Sequence, residues 1–171
     1  MEFLKIVIMG VIGACLYGIV QDQVTVRVCI EYFTIGHPPV FNTTSPTMLA
    51  LGWGVIATWW VGLPLGLLIA VSARLIRESQ LTWRDILKPL GVALLAMAVL
   101  SFIAGVIGYF SANANIIVLH EPLSHFIPPD RHAVFMADYW AHTAAYATGF
   151  LSGIGLCIWC IVVRLRRGAQ L

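Results

Sequence analysis

PLGVALLAMAVLSFIAGVIGYF, Pro89–Phe110, runs for 22 residues without a charged side chain. At about 1.5 Å per residue a helix of this length crosses roughly 30 Å of hydrocarbon. Three further apolar runs, Phe3–Val20, Leu49–Ala73 and Tyr139–Val163, are long enough to do the same. None has the sustained period-two alternation of a barrel strand, and in lipid a helix satisfies its backbone N–H and C=O groups internally. The expected fold is an all-α integral membrane protein, a single four-helix transmembrane domain over residues 1–171.

Composition agrees with this reading. The chain is 60% hydrophobic and 11% charged, with a mean hydropathy of +0.89, which excludes an ordinary soluble globule. A formal charge of +2 is too small to recruit nucleic acid. The cations matter by position. Lys5, Arg74, Arg77, Arg84, Lys88, Arg164, Arg166 and Arg167 flank one set of span ends, and only Arg27 and Arg131 flank the other. The positive-inside rule then places both termini and the 74–88 connection in the cytoplasm, with loops 21–48 and 111–138 facing outward. IGAC, Ile12–Cys15, loosely resembles a lipoprotein processing site, but an uncleaved first helix is the expectation.

The cytoplasmic connection carries a helix start at Thr82, with Asp85 in the first turn. In the first outward loop Val24, Val26, Val28 and Ile30 alternate with Thr25, Arg27, Cys29 and Glu31, which predicts a strand. Ile116–Leu119 is a second extended candidate, so the two are expected to pair as a small β cap over the bundle, with an interfacial helix or re-entrant segment as the alternative for the second loop. Pro64 is a candidate kink in span two. Gly62 with Gly66, and Gly149 with Gly153, have the small-residue spacing that lets helices approach closely, within one chain or in a homo-oligomer.

The chemistry gathers on the outward side. His37, His120, His125, His132 and His142 lie there, as do Asp22, Glu31, Glu121, Asp130 and Asp138. Such groups are costly in hydrocarbon unless they pair, hydrate or ligate a cation. In DYWAHTAAY the spacing sets Asp138, His142 and Tyr146 on one helix face. This supports either a hydrogen-bonded seam or a metal site. The expected metal ligands are Glu31, His37, Asp138 and His142, with His120 and His132 as alternates. Imidazole with carboxylate suits Zn, Cu or Fe. Glu31 or Asp22 is the candidate base for a metal-bound water, and Tyr146 the candidate redox or hydrogen-bonding residue. Asp22 also has a simpler reading as a local cap or a partner of Arg27.

Several signatures are absent. His120–Glu121 continue as HEPLSH, so no HExxH protease motif exists, and neither a GxGxxG nor a Walker loop occurs. Haem is a weaker fit, because no pair of histidines sits near the middle of separate spans. Cys157 and Cys160, inside an apolar run, read as packing residues.

The segment DQVTVRVCIEYFTIGHP, Asp22–Pro38, joined to four spans, resembles a family of small bacterial inner-membrane proteins. Their outward loop carries a similar pattern, matched here by Asp22, Gln23, Thr25, Arg27, Glu31, Tyr32, Phe33 and His37. The resemblance implies inner-membrane placement and leaves function open. From the residues themselves the expected function is metal binding at an outward cavity, serving an enzyme that acts on a lipid or another small membrane-accessible molecule. A non-enzymatic accessory protein whose cap binds a membrane-protein partner is the alternative, and an oligomeric transporter the third.

Overall fold

Each apolar run becomes a helix because only intrahelical hydrogen bonds can satisfy the backbone over such a length away from water. In the computed structural model, which describes residues 1–75 and 79–169, the helices are α1 (Glu2–Val28), α2 (Ile30–Thr34), α3 (Pro46–Ile56), α4 (Trp59–Arg74), α5 (Trp83–Asn113), α6 (Leu123–Phe126) and α7 (His132–Gly168). A single 3-10 turn, Pro129–Arg131, leads into α7. Four stretches, Glu2–Val28, Pro46–Arg74, Trp83–Asn113 and Pro129–Gly168, are long and apolar enough to cross a membrane. Their outer faces carry large exposed apolar side chains such as Leu95, Phe102 and Leu151, the surface expected where lipid is the solvent.

Around the bundle, α5 packs along α7, α7 meets α4, and α1 packs on α3 and α4. Helices α1 and α5 meet more sparsely. The α1–α4 contact is made by small residues. A Cβ on Gly10 would stand 2.8 Å from Gly66 Cα, and one on Gly62 would stand 2.9 Å from Val11 Cα. The Gly62–Gly66 pair therefore serves close packing within the chain.

One end of the bundle collects both termini and the connection before α5. Asp85 accepts from the Thr82 backbone N–H at 2.8 Å and hydroxyl at 2.7 Å, as the helix-start reading requires, and it also pairs with Arg167 at 2.8 Å. Arg164, only 6% exposed, donates to the Ser72 carbonyl at 2.7 Å. Arg77, one of the cations used to assign sides, lies outside the described residues. The opposite end carries the histidines.

The stretch expected as a strand at Val24–Glu31 is the end of α1 and the start of α2, parted by an extended Cys29, and no strand occurs among the described residues. Asp22, Thr25, Val26 and Cys29 are the buried positions, an i, i+3, i+4, i+7 pattern that belongs to a helix face. Half of that face is polar, which masks the period. Ile116–Leu119 has no pairing partner and is followed by the short α6.

Span two is interrupted at Ala57–Thr58, between α3 and α4. Pro64 lies within α4, so the break falls about two turns before it. The Thr58 hydroxyl donates to the Gly54 carbonyl, and the Tyr146 hydroxyl donates to the Ala57 carbonyl at 3.1 Å. Interrupted backbone inside a membrane is tolerated where protein or a cavity meets its polar groups, and a cavity lies against this break.

Candidate functional site

Asp22 of α1 and His142 of α7, separated by 120 residues, meet across the bundle. His142 Nε2 lies 3.1 Å from Asp22 Oδ1, with side chains 13% and 7% exposed. His142 Nδ1 lies 2.8 Å from the Asp138 carbonyl oxygen. A carbonyl can only accept, so Nδ1 carries a hydrogen and donates it. One proton then sits between Nε2 and Oδ1, giving imidazolium facing carboxylate or neutral imidazole facing carboxylic acid. Either way the pair has no net charge, which is how two ionisable groups are accommodated inside a span.

The pair lines a partly open cavity of about 90 Å³, together with Tyr17, Gln21, Tyr32, His37, Trp53, Thr58 and Tyr146. Since a buried water needs at least roughly 10–15 Å³ of such space, the cavity admits several waters or a small group. Aromatic rings close its outer side. Tyr32 stacks on His142 with ring centres 4.6 Å apart and planes at 25°. His37 lies 4.9 Å from Tyr32 and 4.6 Å from Trp53 between ring centres. His37 Nδ1 donates to the Tyr32 carbonyl at 2.7 Å. Burial holds the His37 imidazole below its ordinary pKa. It is therefore neutral near pH 7, with a lone pair on Nε2.

Glu31 is engaged elsewhere. Arg131 Nε and Nη2 each lie 3.1 Å from one Glu31 oxygen, and Nη2 also donates to the Val28 carbonyl at 3.0 Å. This two-pronged pair ties the α1–α2 junction to the start of α7. Burial pushes the Glu31 carboxyl up, but hydrogen bonds from Arg131 and neighbouring groups more than offset it and leave the carboxyl below its usual value. Cys29, fully buried, donates its thiol to Glu31 at 3.3 Å. Burial first, then this contact, pushes the thiol up to about 12. Burial likewise raises the Tyr32 phenol, so both groups keep their protons.

These shifts give the segment around α2 a pH dependence. Both His37 and Glu31 have depressed folded-state values. For His37 the unfolded chain takes up its proton first on acidification, so the stability due to the neutral ring is complete above roughly pH 6.5 and is lost as pH falls through the folded value. The Glu31 contribution is complete above roughly pH 4.3 and is lost below that. Thermal unfolding of the purified protein in detergent is expected to weaken in two stages on acidification. His37→Gln should remove the first stage and Glu31→Gln the second. A single stage unchanged by either variant would contradict the assignment.

Of the residues expected from the sequence to form a metal centre, His37 and His142 share the cavity wall, while Glu31, Asp138, His120 and His132 do not line it. Among the described residues, no group of three or more His, Cys, Asp or Glu is arranged to hold a metal ion. Glu31 is held by Arg131, and His132 Nε2 donates to the Ile127 carbonyl at 2.9 Å. His120 and His125 are exposed. Asp138 is 2% exposed, and His142 bonds its backbone carbonyl, not its carboxylate. The anticipated Asp138–His142–Tyr146 seam is therefore not made by side-chain contacts: Tyr146 reaches Ala57. Arg27 binds Gln23 and Thr47, leaving Asp22 to His142.

Several site residues were not singled out as such from the sequence. The Tyr17 hydroxyl donates to Gln21 Oε1 at 2.6 Å, Gln21 Nε2 donates to Ser101 at 2.8 Å, and the Ser101 hydroxyl donates to the Ala141 carbonyl at 2.6 Å. The signal lay in Tyr17, Gln21, Asp22 and Thr25, a polar stripe at helical spacing that becomes visible once the first helix is carried past Val20. Comparison with protein-family models, curated proteins and solved structures finds no match for this chain.

Proposed function

We propose that this is a multi-pass protein of a bacterial inner membrane, with both termini cytoplasmic, that binds a small membrane-accessible molecule near the outward end of the bundle. It exchanges a proton with that molecule through Asp22 and His142. The observation that carries the reading is the 3.1 Å contact between His142 Nε2 and Asp22 Oδ1 at the wall of a cavity. When such a pair gives its proton to a bound group, the group gains the positive charge and the imidazole–carboxylate pair is left with one negative charge beside it, an arrangement that suits acid–base chemistry. His37 Nε2 offers a second acceptor in the same cavity. The faces of Tyr32 and Trp53 favour a flat or apolar group, and the break in span two leaves room beside Tyr146. Placement of the histidine end outside the cytoplasm rests on the cation distribution.

The test extracts the purified protein with organic solvent and compares the bound small molecules of wild type, Asp22→Asn and His142→Gln by mass spectrometry, with bound metal measured in parallel. A compound near one equivalent in wild type, reduced at least tenfold in both variants, is the expected result. About one Zn, Cu or Fe per chain, lost in His142→Gln, would replace this proposal with the metal reading. Identical extracts from all three proteins would overturn it.

A further inference from the structure

A second cavity, of about 440 Å³, lies where α1, α5 and α7 diverge. On α1 its wall runs from Tyr17 to Val28, about 16 Å at 1.5 Å per residue, close to one leaflet of a roughly 30 Å hydrocarbon core. Its rims, including Val24 and Phe102, are exposed, so the groove opens on the lipid side. Its inner wall is the Tyr17–Gln21 contact, and these two residues line both cavities.

Two observations specify an occupant. Asp138 lines the groove, is 2% exposed, and its Oδ2 is buried without a hydrogen-bond partner. Leaving such a group unmatched costs free energy that a donor would recover. Among the described residues, none lining either cavity is Lys or Arg, while Asp22 lines one and Asp138 the other. In the groove itself a phosphate or carboxylate head would meet Asp138 with no Lys, Arg or His in the lining to neutralise it.

We infer that the groove between α1, α5 and α7 binds a neutral lipid with one long apolar chain and a hydroxyl-bearing head, the chain lying along α1 and the hydroxyl donating to Asp138. This rests on the proposed function, since it makes that lipid the molecule delivered past Tyr17 and Gln21 to Asp22 and His142.

The test uses the full chain in phosphatidylcholine nanodiscs with a hexadecanol carrying a photoreactive diazirine. Labelling should be saturable, map to the α1 and α5 segments that line the groove, and be competed at least tenfold better by hexadecanol than by hexadecanoic acid or phosphatidylglycerol. Ala98→Trp, which fills the groove from an exposed position on α5, should reduce labelling at least tenfold. Asp138→Ala should retain chain binding but lose the preference for hexadecanol over hexadecane. Non-saturable labelling, equal competition by phosphatidylglycerol, or full labelling of Ala98→Trp would overturn the inference. Its failure is separable from that of the proposed function. Extracts that still differ between wild type and His142→Gln, with no groove labelling, would sink the groove alone. Groove labelling with identical extracts would sink the acid–base reading alone.

Discussion

Asp22→Ala is expected to lower the unfolding free energy of the purified protein by about 2 kcal/mol, whereas Asp22→Asn should stay within about 1 kcal/mol of wild type. In wild type one proton links His142 Nε2 to Asp22 Oδ1 across 3.1 Å. Alanine leaves Nε2 facing a gap. The cost of one unsatisfied neutral acceptor falls below the roughly 3–5 kcal/mol of a stranded buried charge. Asparagine restores a hydrogen bond, because its amide N–H donates to the Nε2 lone pair. It has no exchangeable acid proton near neutrality. The two roles of Asp22 are therefore separable: asparagine should rescue stability and not ligand retention. Chemical denaturation in mixed micelles measures the first and solvent extraction the second. Equal destabilisation by both variants would show that something other than this hydrogen bond holds the helices there.

The second large effect concerns close helix approach. A Cβ on Gly54 would stand 2.5 Å from the Ile19 backbone nitrogen, and one on Gly18 would stand 2.5 Å from the Gly54 carbonyl oxygen. Both obstacles include backbone, so no side chain can simply move aside. Gly54→Ala is expected to cost about 3 kcal/mol, the upper part of the usual range for overpacking, and to disturb the cavity wall formed by Gly18 and Thr58. Gly91 and Gly155 are the controls, because a Cβ there meets nothing within 4 Å. Alanine at either should be neutral or stabilise by up to about 1 kcal/mol through helix propensity. If Gly54→Ala and Gly155→Ala behaved alike, the α1–α3 approach would be looser than described.

The spans were legible because lipid imposes a single condition on every residue of a long run, and Pro89–Phe110 meets it without help from any other part of the chain. The boundaries were less so. Span one continues to Val28 and the fourth helix begins at His132, since buried polar residues such as Asp22, Thr25 and Asp138 interrupt the apolar signal where the interior becomes a site. The alternation of valines from Val24 to Val28 imitated a strand because Val24 and Val28 line the lipid-side groove while Val26 enters the core.

The chemistry of the site was legible in part. His142 and Asp22 were both marked as reactive, but their pairing depends on the crossing of α1 and α7, which no local spacing encodes. Glu31 looked available because its partner Arg131 lies 100 positions away. The break at Ala57–Thr58 was anticipated only as a kink at Pro64. Its cause includes the Gly54 and Tyr146 contacts, and the second of these is again long-range.

The central claim is that Asp22 and His142 share one proton while Nδ1 of His142 stays anchored on the α7 backbone. Nitrogen NMR of the full chain, ¹⁵N-labelled at histidine, reads this directly. At neutral pH the His142 Nδ1 signal is expected to be that of a protonated, hydrogen-bonded nitrogen, with an Nε2 signal that moves in Asp22→Asn while Nδ1 holds. An Nδ1 signal lacking a proton, or a His142 ring averaging freely between tautomers and indifferent to Asp22→Asn, would contradict the account.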